Sequence, residues 1–218
     1  MTMDKLRPAS PLAAPLVPGA DATRIPTSHA DDERLLTIDA RNMRITFSVA
    51  LGPLVVRGTF GEMRGQLVLP GDDIERAVLS VDLVAESIST GLSMRDRHLR
   101  GRSFLDSGRF PLISYRSERV ICEPEALVVE GVLTLRGVER RVASTCPLRG
   151  VHDSVRTATL ALCGALEIPR ADFGVGVPRG VDVVNPIFLV VGRQVHVRVE
   201  LELPASLLLP ALLPARER

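Results

Sequence analysis

VHVRVELEL, residues 195–203, places Val or Leu at every odd position and His196, Arg198, Glu200 and Glu202 at the even ones. Side chains of an extended strand alternate between two faces, so a strict period of two describes a strand with one apolar and one polar side. A helix would return its apolar residues every three or four positions. The alternation repeats upstream. Met43, Ile45, Phe47 and Val49 oppose Arg44, Thr46 and Ser48. Leu54, Val56 and Phe60 oppose Val55, Arg57 and Thr59, and Gly58 marks a bulge or a close approach. Met63, Leu67 and Leu69 continue it, as do Leu79, Val81 and Leu83, then Ile113 and Tyr115. Leu127, Val129, Leu133 and Leu135, the stretch from Val142 to Leu148, and Leu160, Leu162 and Leu166 complete the series.

About nine or ten such strands joined by turn residues leave two all-β solutions, a sandwich or a closed barrel. Hairpins are predicted at Gly61-Glu62, at Glu123-Pro124-Glu125 and at Arg136-Gly137. Sequential antiparallel, up-and-down pairing closes into a barrel and removes edge strands. A barrel of roughly eight strands is either filled by its side chains or holds one small ligand. The inward positions are mid-sized aliphatics with Gly58, Gly65 and Gly131 among them, and the chain has no Trp. That composition favours an elongated apolar cavity, with Phe47, Val49, Val56, Phe60, Val81, Leu83, Ile113, Tyr115 and Leu133 as its candidate wall.

Composition narrows the function classes. The 218 residues suit one large β-domain. A net charge of +1 and an aromatic content of 3% argue against nucleic acid, which asks for a basic face and stacking rings. Cys122, Cys146 and Cys163 show no metal-ligand spacing and read as small buried hydrophobes in a reducing compartment. Residues 1–33 carry Pro8, Pro11, Pro15, Pro18 and Pro26, which break the only candidate signal core, so they read as a disordered leader and the protein as cytoplasmic. The barrel then spans 34–203. The tail 204–218, PASLLLPALLPARER, either docks on its own domain or touches a membrane surface or partner.

SISTGLSMRDRHLRGRSFLDSGRFPLISYRS, residues 87–117, is the one polar, irregular interruption, and a barrel needs it as a short helical or loop lid. Asp96 and His98 lie close to Arg95 and could serve acid–base chemistry, yet no nucleophile motif accompanies them. The structural alternative has Asp96 capping or turning the segment and His98 bonding a strand end. Arg95, Arg97, Arg100, Arg102 and Arg109 form either a solvated helix face or a phosphate clamp at the mouth. Phe104, Phe110 and Phe173 either close a cavity or pack its end. Arg170 and Asp172 are expected to form a local ion pair.

On these residues the chain resembles the YceI-like family of lipocalin-like, isoprenoid-binding β-barrel proteins. The likeness runs from about Leu35 to Leu203. It rests on Ser87-Ile88-Ser89-Thr90-Gly91, Arg95-Asp96-x-His98-Leu99, Phe104-Leu105-Asp106 and Phe110-Pro111-x-Ile113. Gly131-x-Leu133-Thr134-Leu135-Arg136-Gly137-Val138, Arg170-x-Asp172-Phe173-Gly174 and Val191-Gly192-x-x-Val195 extend it. The resemblance implies an extended antiparallel barrel around a long polyprenyl chain, often in a homodimer, and a polyprenyl lipid or isoprenoid quinone is the expected ligand. The residues themselves show no nucleophile motif and no metal-ligand spacing, so no catalytic residue and no metal are expected, and transient membrane contact is an expectation for the tail. Two positions depart from the family pattern. Ala40-Arg41-Asn42 stands where a His-Ser pair is usual, and Arg193-Gln194 where an acidic pair is usual.

Magnitudes locate the selectivity. Burying a tail of about forty carbons at roughly 0.8 kcal/mol per CH₂ would gain roughly 30 kcal/mol. That exceeds the ceiling of about 20 kcal/mol for non-covalent complexes. Such a lipid starts in a membrane, already dry, so transfer into the barrel is nearly neutral and shape and head group decide. Arg95, His98 and Arg100 are the candidate head-group contacts. The competing readings are a solid barrel that binds a protein partner on its outer face and a lipid-modifying enzyme.

Overall fold

The computed structural model describes residues 33–148, 159–176 and 190–207. Among these residues eleven strands form one antiparallel sheet: β1 (Glu33–Asp39), β2 (Met43–Leu51), β3 (Leu54–Phe60), β4 (Met63–Pro70), β5 (Val78–Val84), β6 (Ile88–Ser89), β7 (Leu112–Cys122), β8 (Ala126–Leu135), β9 (Val138–Pro147), β10 (Thr159–Pro169) and β11 (Val191–Pro204). A helix, α1 (Ser93–Arg100), lies between β6 and β7. The leader up to residue 32 and the tail beyond 207 lie outside the described residues. At the start of that tail Ala205 is buried and Leu207 packs on the core.

The hydrogen-bonding order is β1-β4-β5-β7-β8-β9-β10-β11-β2-β3-β6. It departs from chain order for a local reason. β1 pairs with β4 and β2 with β3, so residues 33–51 and 54–70 make one long hairpin turned at Gly52-Pro53. Halfway along, that hairpin is kinked, at Ala40-Arg41-Asn42 on one strand and Gly61-Glu62 on the other. Residues 78–89 kink at the same level through the 3₁₀ turn Ala85–Ser87, since β5 pairs with β4 and β6 with β3. With each kinked pair counted as one strand, the eleven segments become eight. The pairings then follow chain order around the curl, and β11 meets β2. This is the up-and-down barrel expected from the alternation. Its thinnest seam is β9–β10, where Ala165↔Thr145 is the pairing in register.

Gly61-Glu62 is therefore a kink and not the predicted hairpin. The amides there turn away from the ladder toward Ser87: Gly61 N donates to Ser87 O at 3.1 Å and Glu62 N to Ser87 Oγ at 3.1 Å. On the facing strand Asn42 Nδ2 donates to Thr37 O at 2.8 Å, and Arg41 N donates to the Asp39 carboxylate at 2.8 Å. The Arg41 side chain on that carboxylate holds the Asp39 pKa below the ordinary range. The other two predicted hairpins are present. Arg136 (φ 54°) and Gly137 (φ 70°) are both left-handed, as a two-residue type I′ turn requires. Gly58 is a site of close approach, since a Cβ there would stand 2.4 Å from Phe47 Cζ.

The kink divides the interior. Below it, Ile38, Leu69, Leu160 and Leu203 are each no more than 1% exposed and make a close-packed floor. Beyond that floor, odd residues such as Phe47 on β2, Val81 on β5, Tyr115 on β7, Leu133 on β8 and Val197 on β11 line open space. No helix among the described residues is long and apolar enough to cross a membrane.

Candidate functional site

The open space is a cavity of about 1040 Å³ running from the floor to α1. Its wall contains Phe47, Val49, Val56, Phe60, Val81, Leu83, Ile113, Tyr115 and Leu133, each predicted from alternation. Arg95, His98 and Phe104 line the lid end, as expected of the 87–117 segment. The barrel is hollow above its floor, which removes the reading of a solid core.

Three predicted contacts stand elsewhere. Arg100 lies outside the cavity wall, because its guanidinium donates to Ile88 O at 3.1 Å and pairs with Glu86 at 3.5 Å. Phe110 packs against the 136–137 hairpin, with the Arg109 guanidinium 5.0 Å from its ring centroid. Phe173 is 2% exposed and belongs to the packed core. The sequence reading also omitted wall residues it could have found. Val195, Val197, Val199 and Leu201 follow directly from the odd positions of 195–203, and Leu162, Leu166 and Ile168 continue that wall on β10.

The lid is held by a compact polar network. Asp96 is buried and accepts from Thr90 N at 2.8 Å and from the Thr90 hydroxyl, so it turns the chain into α1 without capping it; the N-cap is Leu92. Arg95 Nε donates to Thr90 Oγ1 at 2.7 Å and Nη2 to Thr90 O at 2.8 Å. Of the clamp proposed from sequence, Arg95 is thus committed to the lid itself. Arg97, His98 and Arg102 are exposed and line the mouth.

Arg170 also lines the cavity but makes no ion pair with Asp172. It is buried, and its guanidinium donates to four backbone carbonyls: Gly192 at 2.7 Å, Val175 at 2.9 Å, Gly176 at 2.6 Å and Val191 at 3.1 Å. Burial lowers its pKa from the usual arginine value. A planar five-donor fork satisfies carbonyls in several directions at once, which is why this position holds Arg. Nothing in the sequence marks such a partner set, because carbonyls carry no residue signature.

Tyr115 is the chain's single tyrosine and stands on the cavity wall. Its hydroxyl donates to Val129 O at 3.4 Å. Burial, reinforced by Glu118 and Glu130, pushes its pKa up to about 12 from 10.0. The folded state holds the phenolic proton more tightly than the unfolded chain, so ionisation opposes folding. Stability is expected to fall as pH rises from about 10 to about 12. With no Trp present, tyrosinate absorbance reads this group alone. A midpoint near 12 in buffer and near 10 in urea is the expected result; a midpoint near 10 in both would place the phenol in water.

Cys146 lines the cavity, and burial pushes its thiol pKa up. Cys122 is exposed, not buried as read from sequence, because it ends β7 beside the 123–125 turn. Among the described residues no group of three His, Cys, Asp or Glu is placed to hold a metal ion.

Known proteins share this architecture. The crystal structure of Burkholderia cenocepacia BcnA superposes with a TM-score of 0.63 at 17% identity, covering 74% of this chain and 96% of that one. A polyisoprenoid binding domain from Saccharophagus degradans gives 0.56 at 13% identity, covering 79% and 99%. At these identities the likeness concerns the fold. In sequence, Protein YceI of Salmonella arizonae is 31% identical over 103 residues, 47% of this chain and 54% of that protein. The chain thus spans about half the length of the curated relatives it matches. The YceI-like domain family matches across residues 36–203, from the kinked hairpin to the end of β11, and the chain belongs to that family.

Proposed function

We propose that this protein binds and carries, without catalysis, a long apolar lipid of the isoprenoid type in its lumen. The observation that carries the reading is the cavity of about 1040 Å³ with its aliphatic wall, closed by a packed floor and opening beside α1. Ligand sites commonly enclose about 300–1,000 Å³, so this one is large, and an elongated tail suits its shape. The Saccharophagus degradans relative, named for polyisoprenoid binding, supports the class of ligand. For a charged or hydrogen-bonding head group, Arg97, His98 and Arg102 are the side chains at hand. The non-catalytic part of the reading is supported by Asp96, the buried carboxylate of the lid, being held by Thr90 and not directed at the lumen.

Native mass spectrometry and organic extraction of the protein purified from its own host test the proposal. One apolar molecule per chain is the expected result. Protein that stays empty when incubated with prenyl lipids of several lengths would overturn it.

A further inference from the structure

The mouth of the lumen carries an exposed surface that is both apolar and cationic, and we propose that this surface docks on an anionic lipid bilayer. The inference rests on the lipid-carriage reading of the lumen and adds the partner from which the lipid comes. Met94, Arg97 and His98 occupy positions i, i+3 and i+4 of α1 and therefore share one face. All three are exposed, Met94 at 74%, and Leu92 just before the helix is 57% exposed. Asp96, the helix's acidic residue, is buried on the other side against Thr90. The outward face of the lid is thus apolar and basic, with no acid on it.

A second element reaches the same end. Ala50, Leu51 and Val191 line the cavity together with Leu92 and Met94, which places the Gly52-Pro53 turn of the long hairpin beside the mouth. Leu54 (65% exposed) and Val55 (55%) stand at that turn, and Val190 (48%) joins it through Gly52 N donating to Val190 O at 2.8 Å. Elsewhere among the described residues the large exposed apolar side chains are Leu35 and Val78, which flank Val68 at the floor end. Apolar residues scattered singly need no explanation; a cluster around an opening does.

Charge selects the occupant. Arg57 and Arg193 are exposed beside the hairpin turn, and Arg97, Arg102 and Arg109 on the lid segment. Of the nearby acids, Glu86 pairs with Arg100 and Glu167 with His196, and Asp172 is exposed. Apolar side chains interleaved with arginines are the pattern of an element that sits in the interface of an anionic membrane. Seated there, the mouth faces the acyl region, so a prenyl tail passes into the lumen without meeting water.

Co-sedimentation of the full chain with vesicles tests the docking. Partition onto vesicles of about one-third phosphatidylglycerol in phosphatidylcholine should exceed that onto pure phosphatidylcholine by about a hundredfold at low salt, and fall as salt is raised. Leu92→Ser with Met94→Ser, and separately Leu54→Ser with Val55→Ser, should each lower partition at least about tenfold. Leu54 and Val55 lie outside the cavity wall, so their variant should bind a water-soluble short-chain isoprenoid as the parent does, read by quenching of Tyr115 fluorescence. Partition indifferent to anionic lipid or to both double variants would overturn the proposal. So would a dimer that Leu54→Ser with Val55→Ser dissolves, since the surface would then belong to a second copy. If partition responds as expected but no isoprenoid quenches Tyr115 in the parent, docking stands and the carriage reading falls.

Discussion

A barrel carrying Leu133→Trp and Val197→Trp is expected to melt at or above the temperature of the parent while losing prenyl-lipid binding by about a hundredfold or more. In a close-packed core, added side-chain volume forces strain of about 1–3 kcal/mol per site. Leu133 and Val197 border a cavity of about 1040 Å³ instead. An indole there enters open space and buries apolar surface, which is stabilising at roughly 25 cal/mol per Å². The same indoles occupy the path of the tail. Opposite signs for stability and binding are the signature of a hollow lumen. Thermal melts paired with ligand titration read both. A melting temperature lowered by several degrees would mean that the walls already meet.

Arg170→Ala carries the second large effect, a loss of about 3 kcal/mol of folding stability. The substitution leaves the carbonyls of Val175, Gly176, Val191 and Gly192 without their donor. Those bonds join the turn after β10 to the start of β11, at the cavity's open end. Arg136, which donates to Gly174 O from the neighbouring hairpin, is a second hold on the same turn. Arg170→Lys should recover only part of the loss, because one ammonium cannot reach four carbonyls spread around a plane. Urea unfolding measures both variants. A change below about 0.5 kcal/mol for Arg170→Ala would show that water serves the carbonyls equally well.

The wall of the lumen was legible because side-chain alternation is a local property. Once Val195–Leu203 is a strand, its odd residues share a face, and the same holds for Phe47, Val81 and Leu133. What lies opposite that face is not local. Phe173 is apolar like the wall residues and is packed in the core; Phe110 packs against the 136–137 hairpin. Both positions depend on how distant segments meet. The kink at Gly61-Glu62 was misread for a related reason. A Gly-Glu pair suits a two-residue turn, but the amides are claimed by Ser87, far along the chain. The lid showed the opposite balance. Its role as a lid followed from its polarity, whereas the division of labour among its arginines followed from partners such as Thr90, Ile88 and Glu86, which no spacing rule identifies. Residues 40–42 explain another departure: where a family member usually carries His-Ser, this chain makes its kink with Asp39, Arg41 and Asn42.

The most direct test of a hollow, lipid-carrying barrel is a crystal structure of the protein loaded with a long-chain prenyl lipid. Continuous tail density along Phe47, Val81, Tyr115 and Leu133, with the head group near Arg97 and Arg102, is the predicted result. Density confined to the outer surface, or a lumen closed by its own side chains, would contradict it.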